Sequence, residues 1–249
     1  MNNNNKLNIE VTGFTLHMMA MLFMLLDHMW ITVVRGNEWM TCLGRLALPI
    51  FAFLIVEGYV HTGNFKKYMQ RMFVFALISE IPFNLVSAGS IIYPFHQNVL
   101  WTFLLSLICI HLIEKSRKTQ KLWIQIITSI LVIAVGYLLS ILLMLDYNSA
   151  GIMTVLVFYF FRGNDFIHRL GQFLGVYWIN FHLLGGMMYI LDFASIQLSI
   201  PRQGFALFAF IPIWLYNGKR GMTNLWIQYF YYAFYPFHLI VLSVLSRIL

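Results

Sequence analysis

Charge is what this chain has least of. Only 10% of its 249 residues are charged, 60% are hydrophobic and the mean hydropathy is +0.75. A soluble domain carries roughly 25% charged residues, so that class is excluded. Cysteine is almost missing: Cys42 and Cys109 offer neither a disulfide framework nor a metal-ligand spacing. There is no HExxH helix, no GxSxG elbow and no phosphate-cradling P-loop, which removes three common catalytic designs. The opening MNNNNKLNIE is polar and lacks a small-residue cleavage site, so a removable leader is not expected. Neither a long linker nor an internal repeat divides the rest. The expectation is a polar tail over 1–13 and a single transmembrane domain over 14–249.

What the chain does have is apolar runs long enough to cross a hydrocarbon core of about 30 Å, which takes about 20 helical residues. Polar breaks divide them into about nine helices (range eight to ten), near 14–34, 42–60, 68–87, 97–114, 122–144, 151–161, 168–190, 203–216 and 226–246. The fold class expected is therefore an all-α polytopic membrane bundle. A net charge of +7 would point a soluble chain toward nucleic acid. Here the basic residues alternate by loop, and no nucleic-acid partner is expected. Lys66, Lys67 and Arg71 mark the second loop, Lys115, Arg117, Lys118 and Lys121 the fourth, Arg162 and Arg169 the sixth, Lys219 and Arg220 the eighth. Loops around 88–96 and 145–150 carry none. Basic residues collect on the cytoplasmic side, which puts the N-terminus inside and the C-terminus outside.

Ionisable side chains inside such spans are expensive and mark function. The first span carries Asp27 and His28 side by side. At 1.5 Å per residue they lie about 20 Å from the inner end, and Glu80 and His238 come out at roughly 18 Å in their own spans. Arg45 opens the second span just below the outer surface, and His96, Gln97 and Asn98 open the fourth. Polar groups from several spans thus converge on one depth. Adjacent helical residues point about 100° apart, so Asp27 and His28 each need a partner on another helix. Arg45 either snorkels to headgroups or pairs with Asp27 or Glu80. Glu80 precedes Pro82, and His238 follows Pro236 by two, each beside a loosened helix. Glu57 and His61 either cap the second span or line its inner mouth. His17, His111 and His182 read as structural.

The motifs, taken in order, resemble the TraX family: LLDH in the first span, GRLALPIFAFLIVEGYVHT leading into KKYMQR, then FALISEIPFNL and HQNV, and finally LYNGKRG with YYAFYPFHLI. The resemblance covers about 14–110 and 210–242. It implies a bacterial plasma-membrane enzyme similar to the multi-helix membrane acyltransferases, whose founding TraX members acetylate the N-terminal amine of a conjugative pilin. It implies cytoplasmic acyl-CoA, with acetyl-CoA as the donor rather than a resident cofactor, and a histidine base near the outer end of the first span, which is His28 here. Arg45 falls in the group's second conserved block; Glu80 and His238 belong to the family pattern.

The expected chemistry follows. His28 takes the acceptor's proton as the nucleophile attacks the thioester, or first accepts the acyl group itself as an acyl-histidine. Asp27 or Glu80 orients the imidazole, with Arg45 and His238 in the same catalytic group. Arg45, Gln97 or Asn98 holds the oxyanion, and His96 stands with Gln97 and Asn98 on the acceptor side. Lys66, Lys67, Arg71, Lys219 and Arg220 meet the CoA phosphates. Acceptors in view are a pilin or peptide N-terminus, or a glycan or other small amine or hydroxyl; no metal ligands are expected. The rival is an ion-coupled transporter using Asp27, Glu80 and Arg45 as intramembrane charges.

Overall fold

Helix starts follow capping chemistry. α1 (Gly13–Thr32) begins at Thr12, whose hydroxyl accepts from Thr15 N while Thr12 N donates to Thr15 Oγ1. The structure is a computed structural model and describes residues 10–119, 121–193 and 196–249, so most of the expected polar tail lies outside it. α2 (Glu38–Gly44) and α3 (Ala47–His61) form one span broken at Arg45–Leu46, with Pro49 tolerated in the first turn of α3. Asn64 caps α4 (Phe65–Ser87) and Asn224 caps α10 (Leu225–Ile248), each through its side-chain oxygen. Between them run α5 (Val99–Thr119), α6 (Leu122–Leu142), α7 (Asn148–Phe160), α8 (Phe166–Trp178) and, after a hairpin, the short α9 (Phe210–Trp214).

Among the described residues, six helices are long and apolar enough to span a membrane: α1, α2–α3 together, α4, α5, α6 and α10. The broken α2–α3 span is 72% buried and sits at the centre, whereas α6 is 11% buried and turns its apolar surface outward. Leu16, Ile50, Leu107, Ile110, Ile152 and Phe158 are fully buried where α1, α3, α5 and α7 meet.

The seventh expected helix needs correction. The apolar run predicts it over 168–190, but α8 passes into a π-turn (Ile179–Leu184) and stops at Gly185 and Gly186, both at positive φ (51° and 95°). Glycine adopts that conformation without strain. The chain then forms an antiparallel hairpin of β1 (Met188–Phe193) and β2 (Ile196–Pro201), in register from Met188 opposite Pro201 to Phe193 opposite Ile196. A 3₁₀ segment (Arg202–Ala209) leads into α9, where a single helix over 203–216 was expected.

Loops gather at two ends. At the basic end, Gly13 N and Phe14 N donate to Lys219 O and Arg220 O, Arg220 donates to the His61 carbonyl, and Arg162 pairs with Glu57 at 2.8 Å. At the opposite end, Gln97 N donates to Met144 O, Asp146 N donates to Gln97 O, and Arg202 pairs with Glu38 at 2.6 Å. The second, sixth and eighth loops therefore meet around the start of α1, the third meets the fifth, and the first meets the seventh.

Candidate functional site

Gly44 is the residue that lets α2 lie on α1. A Cβ there would fall 2.8 Å from Asp27 Cγ and Oδ1 and nearer still to its Cβ, so no larger residue fits. Arg45 comes next, one helical turn after Thr41, and its guanidinium reaches the same carboxylate. Arg45 Nη2 donates to Asp27 Oδ1 at 2.5 Å and to Thr41 Oγ1 at 2.7 Å, while Thr41 Oγ1 donates to Asp27 Oδ1 at 2.7 Å. Arg45 Nε points to Thr41 O at 3.3 Å. The side chains of Arg45 and Asp27 are 16% and 10% exposed. Of the two partners expected for Arg45, Asp27 is the one it meets.

His28 has a different partner from the one expected. Neither Asp27 nor Glu80 orients its imidazole: His28 Nδ1 lies 2.7 Å from Nε2 of His238. The two rings are nearly coplanar in orientation, 4° apart with centroids at 5.0 Å. His238 Nδ1 in turn lies 2.8 Å from the carbonyl oxygen of Phe234, one turn back on α10. Asp27 is taken up elsewhere, and Glu80 has one oxygen bound and the other, Oε1, buried without a partner. Asp27 balances Arg45, and Glu80 Oε2 accepts from Trp101 Nε1 at 2.9 Å and from Asn98 Nδ2. His238 is buried and His28 is partly exposed. Tyr235, also buried, flanks both imidazoles, at 6.4 Å from the His28 ring and 5.8 Å from the His238 ring.

Asn98, expected at the oxyanion, spends its amide hydrogens on the protein. Its amide nitrogen donates to Glu80 and, at 2.9 Å, to Ala76 O, which uses both hydrogens. Gln97 donates to Pro94 O at 2.8 Å in the loop at the end opposite the basic one. His96 also lies there, with Nε2 at 3.3 Å from Asp146 Oδ1 and its ring edge-on to Phe83. The Asp146 hydrogen bond raises the His96 pKa above the ordinary imidazole value, against the opposing effect of burial. Asp146 was not anticipated, nor was Tyr147, which holds a left-handed backbone (φ 58°) at the start of α7. Both lie close enough to couple electrostatically with Arg45.

A cavity of about 510 Å³ enters from the basic end. His61, Asn64, Lys67, Arg71 and Arg220 line its mouth, Phe51, Leu100 and Phe103 its walls, and Met24, Val99 and Tyr235 its far end. Met24 is one turn before His28 on α1, and Tyr235 is about one turn before His238 on α10. The cavity therefore stops a single turn short of the imidazole pair, with the Tyr235 ring at the boundary. His17, read from the sequence as structural, lines it too: its ring lies flat on Tyr231 at 4.1 Å and its Nδ1 faces Gly13 O at 2.8 Å. Two polar atoms of the lining residues, Arg71 Nε and the Tyr231 hydroxyl, are buried with no partner.

Three of the five basic residues expected at the donor site, Lys67, Arg71 and Arg220, meet at this mouth. Lys66 is exposed outside the lining, and Lys219 is held at 3.1 Å by Glu10. Glu57 and His61 do what both readings allowed: they line the mouth, and His61 Nδ1 closes on Glu57 O at 2.9 Å. His111, an exposed residue, stacks on Phe65 at 4.3 Å. Among the described residues no three His, Cys, Asp or Glu side chains gather as a metal site.

Comparison with known proteins matches nearly the whole chain. A family described as TraX protein matches residues 12–246. The chain is also 27% identical over 248 residues to the "Probable fimbrial assembly protein FimC, serogroup H1" of Dichelobacter nodosus, covering 94% of this chain and 96% of that protein. No solved structure matches.

Proposed function

The chain belongs to the TraX family, and from that premise we propose that it transfers an acetyl group from acetyl-CoA across the membrane's inner half to an amine or hydroxyl acceptor presented from outside. The observation that carries this reading is the cavity that opens among Lys67, Arg71 and Arg220 and ends one turn below His28 and His238. CoA is too large and too charged to cross a bilayer, whereas its pantetheine arm is slender. Cationic groups at the mouth suit its phosphates, and an apolar, aromatic wall suits the arm. Thermal opening at Tyr235 would bring the thioester to the imidazoles.

In this reading the chain crosses a bacterial plasma membrane nine times. The six long spans are joined by α7, by α8 with its π-turn, and by the 3₁₀–α9 segment. The basic end is cytoplasmic, the N-terminus inside and the C-terminus outside. His28 takes the proton from the attacking acceptor, a step worth roughly 10²–10⁴-fold. The new bond forms at the thioester carbonyl, the C–S bond breaks, and the proton held by His28 passes to the departing thiolate. Nη1 of Arg45, which makes no bond to Asp27 or Thr41, is the group left to face the oxyanion. An N-terminal amine of a pilin or similar peptide is the acceptor favoured by the relative's role in fimbrial assembly. The transporter reading has less support, because Asp27 is bound by Arg45 and Thr41 and Glu80 Oε2 by Asn98 and Trp101.

The test is acetyl transfer by purified protein in lipid nanodiscs. Radiolabelled acetyl-CoA and a short peptide with a free N-terminus should give labelled peptide with the wild type and none with His28→Ala. Equal labelling by both proteins would remove His28 from the chemistry, and none by either with solute flux that depends on Asp27 would replace the enzyme with the carrier.

A further inference from the structure

We propose that His238 is a positioning residue that fixes which nitrogen of His28 is the base; this rests on the acyl-transfer reading. The argument is one of hydrogen bookkeeping along two contacts. A backbone carbonyl oxygen only accepts, so His238 Nδ1, 2.8 Å from Phe234 O, carries the hydrogen. A neutral imidazole has one donor nitrogen and one acceptor nitrogen, so His238 Nε2 is an acceptor. That acceptor faces His28 Nδ1 at 2.7 Å, which makes His28 Nδ1 the donor. The lone pair of His28 then sits on Nε2, the ring nitrogen that makes no hydrogen bond to His238. The reactive edge of His28 is thus set by a carbonyl on a different helix, through a second ring.

This arrangement does the work that a carboxylate does in other catalytic histidines, with one difference. A carboxylate beside His28 would bring a third acid to a region already holding Asp27 and Glu80. His238 is neutral while it accepts, and it turns the contact into a charge-assisted bond when His28 gains its proton on Nε2. The proton later leaves from the same nitrogen to the thiolate, so His238 ends each cycle as it began. The parallel rings keep both nitrogens aimed while α1 and α10 stay packed.

Two variants and one spectrum test this. His238→Leu removes the acceptor; His238→Gln keeps an oxygen where Nε2 stood. With acetyl-CoA and the free-amine peptide, His238→Leu should lose about 10²-fold or more in kcat, since a misassigned tautomer is costly, with KM for acetyl-CoA unchanged. His238→Gln should recover kcat to within about tenfold of wild type. ¹⁵N spectra of histidine-labelled wild type should show His28 with hydrogen on Nδ1. Wild-type kcat in His238→Leu, equal losses in the two variants, or hydrogen on Nε2 of resting His28 would each overturn the proposal. Failure of the acyl-transfer reading is separately visible: the wild type then labels no peptide, and the ¹⁵N spectrum alone decides the tautomer.

Discussion

Asp27→Leu separates architecture from chemistry. It leaves Arg45, 16% exposed, without the carboxylate it meets at 2.5 Å, and leaves Thr41 Oγ1 without its acceptor. Removing one partner of a buried pair costs about 3–5 kcal/mol, because the remaining charge is uncompensated. A chain of this length loses about 2–4 °C in Tm per kcal/mol, so the variant should unfold about 6–20 °C below wild type. Replacing both ions by apolar groups of similar volume is often close to neutral, so Asp27→Leu/Arg45→Met should regain most of that loss. The assay is thermal unfolding of detergent-purified proteins at one scan rate, read by tryptophan fluorescence. The reasoning is refuted if Asp27→Leu melts within about 2 °C of wild type, or if the double variant melts no higher than the single one. Acetyl transfer supplies the second axis: the double variant should be stable and still inactive if Arg45 faces the oxyanion.

Three further predictions use the same geometry. Gly44→Ala places a Cβ against Asp27, which should cost about 1–3 kcal/mol through overpacking and lower activity with it, as thermal unfolding beside a transfer assay would record. At the opposite end, His96 gains its raised pKa from Asp146, so this pair stabilises the fold fully below the unfolded imidazole value and progressively less as pH rises through the folded one. Asp146→Asn should therefore lower Tm at pH 5.5 and change it little at pH 8.5. Lys67→Ala/Arg71→Ala should raise KM for acetyl-CoA about tenfold, equivalent to about 1.4 kcal/mol, at unchanged kcat. Lys66→Ala, outside the cavity lining, should leave KM unchanged.

Most of the frame was legible in the residues because two strong physical constraints write themselves into sequence. Hydrocarbon demands long apolar helices, and loop charge follows the side of the membrane, so α1, α4, α5, α6 and α10 lie close to where the apolar runs put them. Convergence of polar groups was legible from depth along each span. Partner choice was not. His28 and His238 are 210 positions apart, and only the packing of α10 on α1 brings their rings together. Arg45 to Thr41 carried a local signal, the one-turn spacing, whereas the selection of Asp27 over Glu80 depended on Gly44 admitting α1. The Gly185–Gly186 pair was a readable stop signal that hydropathy overrode, since the strands after it are as apolar as a helix. Asp146 escaped notice because a single acid in a short loop looks solvated until its neighbours are known.

The most direct measurement of the central claim uses sealed proteoliposomes with the protein in one orientation, free-amine peptide trapped on the face opposite the basic loops, and radiolabelled acetyl-CoA supplied only to the basic face. If the cavity among Lys67, Arg71 and Arg220 feeds His28, label should accumulate on the trapped peptide with wild type and stay at background with His28→Ala. Label confined to acceptor on the donor's own side, or transfer that survives loss of His28, would contradict it.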